Sequence, residues 1–153
     1  MLNNHHKKRD FKKTSEPKGK GKSGSKSIFV VQKHHARSLH YDFRLAMDGV
    51  LKSWAVPKGP SKKPADKRLA VLVEDHPLEY AKFEGVIPEG EYGAGKVEIW
   101  DSGTWEPISN LKDWQKEGKL EFTLHGKKLK GDWVLIQIKN NPKNWLLIKK
   151  RSS

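Results

Sequence analysis

The residues best suited to chemistry lie between Gln32 and Leu45. In the second half of this stretch, apolar residues alternate with His40, Asp42 and Arg44. A β-strand has a side-chain period of two, so an imidazole, a carboxylate and a guanidinium would lie in a row on one face. The Cα atoms of His40 and Asp42 would be about 7 Å apart, which allows both side chains to reach one metal ion with bonds of about 2.1 Å. The pattern therefore indicates a metal site.

A third ligand would come from the histidine pair that precedes this row. The residues alone leave open whether His34 or His35 is that ligand. Two imidazoles and one carboxylate suit Mn²⁺, Fe²⁺, Co²⁺ or Zn²⁺, and the ligand set does not choose among them. The competing interpretation is a solvated outer strand face, where polar strand residues usually lie. The continuation of the row to Arg44, and the anion-binding residues downstream, favour the metal site.

Further side chains that could bind an anion or move a proton follow downstream. Lys58 lies in a turn between two prolines, Arg68 precedes an apolar run, and His76 stands just before Pro77 where that run ends. A cation and an arginine would bind the non-bridging oxygens of a phosphate, and a histidine would transfer a proton or contact the developing charge. The sequence contains neither a serine nucleophile elbow nor an acidic pair with obvious glycosidase spacing. It therefore predicts phosphoryl chemistry on a polyanion.

The charge of the whole chain agrees with such a substrate. Of 153 residues, 31 are Lys or Arg and 18 are Asp or Glu, a formal net charge of +13. This predicts a nucleic-acid partner, or less often an anionic membrane surface. No apolar run approaches the roughly 20 residues of a membrane span, and the N-terminus lacks the apolar core of an export signal. The absence of cysteine excludes disulfides, cysteine-ligated zinc and cysteine nucleophiles, so we expect a cytoplasmic, nucleoid-associated protein.

The composition divides the chain near residue 27. Residues 1–27 hold nine basic and two acidic residues among glycines and serines, which predicts a flexible basic arm, or in the simpler alternative a solubilising tail.

Residues 28–153 contain short apolar runs separated by turn residues such as Asp48-Gly49 and Asp101-Ser102-Gly103, and the glycine-rich residues 84–95 are interpreted as turns and bulges at a barrel rim. One helix is predicted, over Ser109–Glu117. The predicted fold is a compact antiparallel β-barrel of about eight strands. The predicted strands are Ile28–Val31, Leu39–Leu45, Val50–Val56, Leu69–Val73, Lys96–Trp100, Leu120–Leu124, Trp133–Ile138 and Trp145–Ile148.

Several strings in this chain closely resemble the 3′-phosphoesterase module of bacterial DNA ligase D proteins, in its free-standing form. The matching strings run in order across most of the chain. They are Phe29–His34, Leu39–Arg44, Asp48–Pro60, Lys67–Ala70, Val73–Leu78, Phe83–Gly85, Ile87–Gly90 and Tyr92–Gly95, preceded by Arg9–Phe11, Thr14 and Glu16–Pro17.

The resemblance implies a manganese-dependent enzyme that heals DNA 3′ ends in non-homologous end joining. Such modules remove a terminal 3′ ribonucleoside by phosphodiester cleavage, then remove the remaining 3′ phosphate to leave a hydroxyl. The partners implied are DNA or DNA/RNA 3′ ends on a primer-template or nicked duplex, with separate ligase and polymerase proteins in repair. Co²⁺ or Zn²⁺ could replace Mn²⁺. No membrane partner is implied.

Site roles also follow from the resemblance. It implies that His34, His40 and Asp42 are the metal ligands, which selects His34 over His35. Arg44 and His76 correspond to the phosphate-contacting pair at the chemical step. The matching supporting positions are Lys58, Arg68, Gln32 and Tyr80, and in the N-terminal arm Arg9, Asp10 and Glu16, so that residues 9–17 are expected to fold against the site.

Two other functions remain open at this point. A non-catalytic nucleic-acid-binding module would use the basic arm and the six tryptophans, since aromatic faces stack on unpaired bases. A non-haem Fe²⁺ oxygenase also uses two histidines and one carboxylate. The abundance of anion-binding residues favours the phosphoesterase over the oxygenase.

Overall fold

A computed structural model of the chain describes residues 27–91 and 94–151. Eight strands form a closed antiparallel barrel in the order β1-β2-β3-β4-β9-β8-β7-β6, and pairing between β1 and β6 closes it. The remaining strand, β5, pairs with the first residues of β6. This confirms the predicted fold class. The elements are β1 (Ser27–His35), β2 (Leu39–Met47), β3 (Val50–Val56), β4 (Arg68–His76), a 3₁₀ helix (Leu78–Lys82), β5 (Gly85–Ile87), β6 (Gly95–Pro107), α1 (Trp114–Glu117), β7 (Lys119–Gly126), β8 (Lys130–Gln137) and β9 (Asn144–Lys149).

Every apolar run predicted as a strand lies in one, except that Ile138 falls one residue beyond the end of β8. The turn chemistry explains the tight connection of β2 to β3, because Asp48 and Gly49 both have positive φ angles, 53° and 79°. Two such residues form the hairpin turn whose twist matches that of paired strands, and Asp-Gly is a favoured sequence for it. The similar strands β8 and β9 pair with each other, as expected from their sequences.

Large aromatic side chains fill the barrel. Five of the six tryptophans are buried in its core, namely Trp54, Trp105, Trp114, Trp133 and Trp145. Trp100 is only partly buried and packs against the edge of this core. The buried rings cannot stack on nucleic-acid bases. Among the described tryptophans, only Trp100 is therefore left to support the hypothesis of a non-catalytic binding module.

The predicted helix is shorter than expected. The sequence predicted Ser109–Glu117, whereas the α-helix comprises Trp114–Glu117 only. Asn110 accepts a hydrogen bond through Oδ1 from the backbone N–H of Lys112, a local turn that competes with helical hydrogen bonding. Leu111 and Trp114 nevertheless pack on the core, as their spacing predicted.

The predicted turn at Asp101-Ser102-Gly103 is wrong, because these residues continue strand β6. Val31 pairs with Asp101 and Gln32 pairs with Ile99, so Trp100 is an extra residue in a β-bulge. The Asp101 carboxylate is buried and accepts hydrogen bonds from the turn between β7 and β8. Residue types that usually form turns therefore lie in a bulged strand here. One of them, Asp101, binds the neighbouring turn. Strand β5 was not predicted because it has only three residues.

A second apolar cluster lies outside the barrel wall. Side chains alternate along β1, so Val31 belongs to the barrel core while Val30 belongs to this outer cluster. Ala81, Leu78 and Tyr80 of the 3₁₀ helix pack on it. We call residues 77–87, which include the 3₁₀ helix and β5, the cover segment. It lies over the outer faces of β1, β2 and β3, where the polar row of β2 is found.

The predicted arm, residues 1–27, lies outside the described residues except for Ser27, which begins β1. The division of the chain at residue 27 and the order of residues 9–17 therefore stay predictions. No helix in the described part of the chain has the length and apolar character that crossing a membrane requires.

Candidate metal centre

The β1–β2 hairpin brings the candidate ligands together. Its register pairs His34 with His40, Gln32 with Asp42, and Val30 with Arg44. Cross-strand partners share one face of a sheet, so the polar row of β2 gains His34 and Gln32 from β1. His35 lies on the other face, and its Nε2 is 2.7 Å from Glu98 Oε2. The register thus places His34, and not His35, beside His40 and Asp42.

The three side chains are close enough to share one ion. One ligand atom each from His34, His40 and Asp42 can be chosen so that all lie within 4.8 Å of one another. His34 Nδ1 is 3.6 Å from Asp42 Oδ2, and His40 Nε2 is 3.2 Å from Asp42 Oδ1. Ligands bound at about 2.1 Å in tetrahedral geometry are about 3.4 Å apart. The donor set and its spacing therefore fit a divalent transition metal.

The electrostatics keep the carboxylate ready to bind a cation. Burial alone would raise the pKa of Asp42, but hydrogen bonds from His34 and His40 and the charge of Arg44 hold it well below its usual range. The pKa of His40 is raised, chiefly by its hydrogen bond with Asp42, against the opposing effect of burial. Cation binding uses the ionised carboxylate, whereas His40 must be neutral to act as a ligand, so its raised pKa makes protonation of His40 compete with the cation.

The Arg44 guanidinium is buried next to this cluster and held on several sides. Nε donates to Gln32 Oε1 at 2.7 Å, and Nη1 donates to Ser53 Oγ at 2.8 Å. Nη2 lies 3.4 Å from Asp42 Oδ2. Only 3% of Arg44 is exposed, so burial lowers its pKa while Asp42 opposes that shift. The guanidinium stays charged and its plane is fixed, which suits a contact from Nη2 to an oxyanion.

The cover segment is attached to the same network. Gln32 Nε2 donates to the backbone oxygens of Tyr80 at 2.8 Å and Phe83 at 3.2 Å. The Arg44 Cζ atom lies 5.0 Å from the centre of the Tyr80 ring, which stacks on Phe83. Burial raises the pKa of Tyr80, so its phenol is neutral and able to donate a hydrogen bond.

His76 comes from the end of β4 and meets Arg44 from a third side. Its Nδ1 is 3.2 Å from Arg44 Nη1 and 3.2 Å from the backbone oxygen of Glu74. Arg44 can only donate and the Glu74 carbonyl can only accept, so the two contacts favour opposite tautomers of the His76 ring. The His76 ring also packs against Tyr80 at 4.9 Å.

The polar row is not a solvated face. Asp42, Arg44 and Gln32 are buried, because the cover segment and the hairpin partners enclose them. The competing interpretation of the β2 row as solvated outer surface is therefore wrong for Asp42 and Arg44. His40 keeps about a quarter of its side chain exposed and marks the open side of the cluster.

Lys58 and Arg68 lie at the barrel end where β3 ends and β4 begins, away from the Arg44 network. Val56 pairs with Tyr41, so this end is also where His40 lies. Arg68 Nη1 is 3.4 Å from the Lys58 backbone oxygen, and Arg68 Nη2 is 3.5 Å from Asp66 Oδ2. Lys58 is exposed. The predicted residues Arg9, Asp10 and Glu16 lie outside the described residues.

Ser53 is a site residue that the sequence analysis did not identify. It is completely buried, pairs with Arg44 across the strands and accepts a hydrogen bond from it, while its own hydroxyl donates to the Leu51 backbone oxygen. A buried serine in the apolar strand β3, opposite a charged position of β2, was the available signal.

Comparisons with known proteins agree with the geometry. A family model described as the DNA Ligase D 3′-phosphoesterase domain matches residues 32–137. The chain is similar to the multifunctional non-homologous end joining protein LigD of Pseudomonas aeruginosa, with 54% identity over 147 residues, 93% of this chain and 18% of that protein. The LigD of Mycolicibacterium smegmatis is 51% identical over 148 residues, 90% of this chain and 19% of that protein. The chain thus spans less than a fifth of the length of these relatives.

Proposed function

The chain belongs to the DNA ligase D 3′-phosphoesterase domain family, and from this premise we propose that it is a metal-dependent phosphoesterase that heals DNA 3′ ends. It removes a terminal 3′ ribonucleoside and then the remaining 3′ phosphate, leaving a hydroxyl that a polymerase or ligase can use. The observation that carries the proposal is the cluster of His34, His40 and Asp42 with the Arg44 guanidinium 3.4 Å from Asp42. A cation site and a fixed oxyanion donor side by side are what phosphoryl chemistry requires.

His34, His40 and Asp42 would hold the ion, with Mn²⁺ as the expected metal and Co²⁺ or Zn²⁺ as substitutes. When bound, such an ion supplies Lewis-acid polarisation of a phosphoryl oxygen. Asp42 has a second task, because it lies between the imidazoles and Arg44 and fixes how far the guanidinium is from the ligands. The protein thus sets the spacing between two positive groups that a single phosphate can contact.

Arg44 binds the non-bridging oxygens of the scissile phosphate. Gln32 and Ser53 hold Nε and Nη1, so Nη2 is the guanidinium group that points toward Asp42 and the ligands. The substrate thus meets a guanidinium that is already oriented, and little reorganisation is needed when charge develops in the transition state.

His76 is the proposed proton donor. Nδ1 contacts Arg44 and the Glu74 backbone oxygen, so Nε2 is the ring nitrogen proposed to pass a proton to a phosphate oxygen or to the leaving oxygen. Tyr80 positions both groups, because its ring contacts His76 and Arg44. Lys58 and Arg68 add positive charge at the barrel end where His40 lies, and Arg9, Asp10 and Glu16 are proposed to support the site from the arm.

The cellular role proposed is end processing in non-homologous end joining. The relatives are named for that process and are several times longer than this chain. The proposed substrates are primer-template or nicked duplex ends, and the proposed partners are ligase and polymerase activities. The proposed location is the cytoplasm, on the nucleoid.

A labelled-primer gel assay tests the proposal. One 5′-labelled primer-template ends in a 3′ phosphate and a second ends in a single ribonucleotide, and each is incubated with Mn²⁺ or with EDTA. We expect conversion to a 3′ hydroxyl with Mn²⁺ only. His40→Ala should abolish conversion, whereas His35→Ala, a change at the neighbouring histidine outside the cluster, should not. Unchanged DNA with metal bound would contradict the proposal and favour a binding module, whereas equal activity in EDTA would contradict the metal dependence.

A further inference from the structure

A group of basic and aromatic side chains lies on the other face of strand β2 from the candidate metal centre. Lys33 and Tyr41 are cross-strand partners on β1 and β2, on the opposite face from His40 and Asp42. The Tyr41 ring meets the Trp100 ring edge to face at 5.6 Å. The Lys128 Nζ atom lies 4.7 Å from the centre of the Trp100 ring. We call Lys33, Tyr41, Trp100, Lys127 and Lys128 the basic strip.

The two lysines from the β7–β8 turn are exposed but held in place. Asp101, only 3% exposed, accepts hydrogen bonds from the backbone N–H groups of Lys127 at 2.9 Å, Lys128 at 3.2 Å and Leu129 at 2.8 Å. The turn is closed further by the bond from Gly126 N–H to the Leu129 carbonyl, at 2.8 Å. A charge-assisted bond to three successive amides fixes the backbone of this turn. The bulge at Trp100 therefore presents Lys127 and Lys128 at a fixed position.

The strip carries charge that the described part of the chain does not neutralise. Within residues 27–91 and 94–151, the ion pairs of lysines and arginines involve Arg44, Lys52, Arg68 and Lys150, and none involves the strip. Asp101, which binds the turn, is already occupied by backbone amides. Glu98 pairs with Lys33 across the strands, is bonded to His35 and also interacts electrostatically with Lys33. The ammonium groups of Lys127 and Lys128 are thus the ones available to an external polyanion.

We propose that the basic strip binds the sugar-phosphate backbone of the DNA whose 3′ end lies in the metal centre. This inference rests on the proposed function and adds a second contact region to it. Tyr41 stands between His40 and Asp42 in the chain with its side chain on the opposite face of β2, so a DNA strand leaving the centre would reach the strip by passing around the barrel end where β2 begins. Trp100 restricts Lys128 by a cation–π contact, so less side-chain entropy is lost on binding. Contacts of this kind position the duplex and read no sequence.

The test replaces Lys127 and Lys128 by glutamine together. The matched control replaces Lys139 and Lys143 by glutamine, which removes the same charge from the β8–β9 turn. The two turns flank β8, one at each end, so the control lies at the opposite end of the barrel. The Kd for a fluorescent 3′-phosphorylated primer-template is measured in EDTA by anisotropy between 50 and 200 mM salt. The kcat/KM with Mn²⁺ is measured on that substrate and on a 3′-phosphorylated dinucleotide.

If the strip binds two phosphates, the slope of log Kd against log salt falls by about 2 in Lys127→Gln/Lys128→Gln. The affinity advantage of the wild type then shrinks about tenfold between 50 and 200 mM salt. The kcat/KM falls for the primer-template and is unchanged for the dinucleotide, which is too short to reach the strip. The control variant keeps the wild-type slope.

If both variants change the salt slope equally, the lysines act only through general electrostatic attraction, and the assignment of the basic strip as a DNA contact is overturned. So would an unchanged slope in Lys127→Gln/Lys128→Gln. Absence of turnover by the wild type on both substrates would refute the proposed function, and the binding comparison in EDTA would still decide for or against the strip.

Discussion

The Arg44→Lys variant keeps a positive charge at this position but removes the planar guanidinium. Arginine makes two short hydrogen bonds here, to Gln32 Oε1 and Ser53 Oγ, and presents Nη2 toward Asp42. A lysine ammonium is a single point of charge and cannot satisfy these positions together. Gln32 Oε1 is then left buried without its arginine donor, which costs about 1–3 kcal/mol of the free energy of unfolding.

The loss in catalysis should exceed the loss in stability. Removing one preorganised donor to a developing oxyanion lowers kcat by about 10²–10³. We therefore expect a kcat loss of that size on a 3′-phosphorylated primer-template, with circular dichroism unchanged. Urea unfolding measures the change in stability on the same protein samples.

Ser53→Ala provides the matched control for this prediction. It removes the partner of Nη1 but keeps the charge, Nε and Nη2 of Arg44, so kcat should fall by less than about tenfold. If Arg44→Lys retains kcat within about threefold of the wild type, the guanidinium geometry does not serve catalysis and the role given to Arg44 is refuted.

Three further predictions concern the metal, the barrel and the cover segment. His40→Ala and Asp42→Ala should each lose stoichiometric Mn²⁺ binding in calorimetry, because one of three ligands is missing; tight binding by both would exclude this site. Asp101→Ala should lower the free energy of unfolding in urea by about 2–4 kcal/mol, since a buried carboxylate with three amide donors is removed; a change below about 0.5 kcal/mol would contradict this. The phenol of Tyr80, whose pKa burial raises, should ionise above the usual range in a 295 nm titration compared with Tyr80→Phe; a normal titration would mean that the cover segment is open in solution.

The strands and the polar row of β2 could be predicted from the order of residue types alone. Period-two alternation is a local property of the backbone, so His40, Asp42 and Arg44 could be placed on one face without any knowledge of the fold. The hairpin at Asp48-Gly49 followed from the turn preference of two residues. The antiparallel barrel followed from the number and length of the apolar runs.

The surroundings of that row depend on how distant parts of the chain pack together. The β1–β2 register places His34 beside His40, a choice that spacing alone left open between two adjacent histidines. The cover segment buries the row, and Ser53 meets Arg44 from β3. Asp101 and Trp100 form a bulge where turn residues were expected. These features depend on contacts between residues distant in the chain, and local propensity does not encode such contacts because it acts over only a few neighbouring residues.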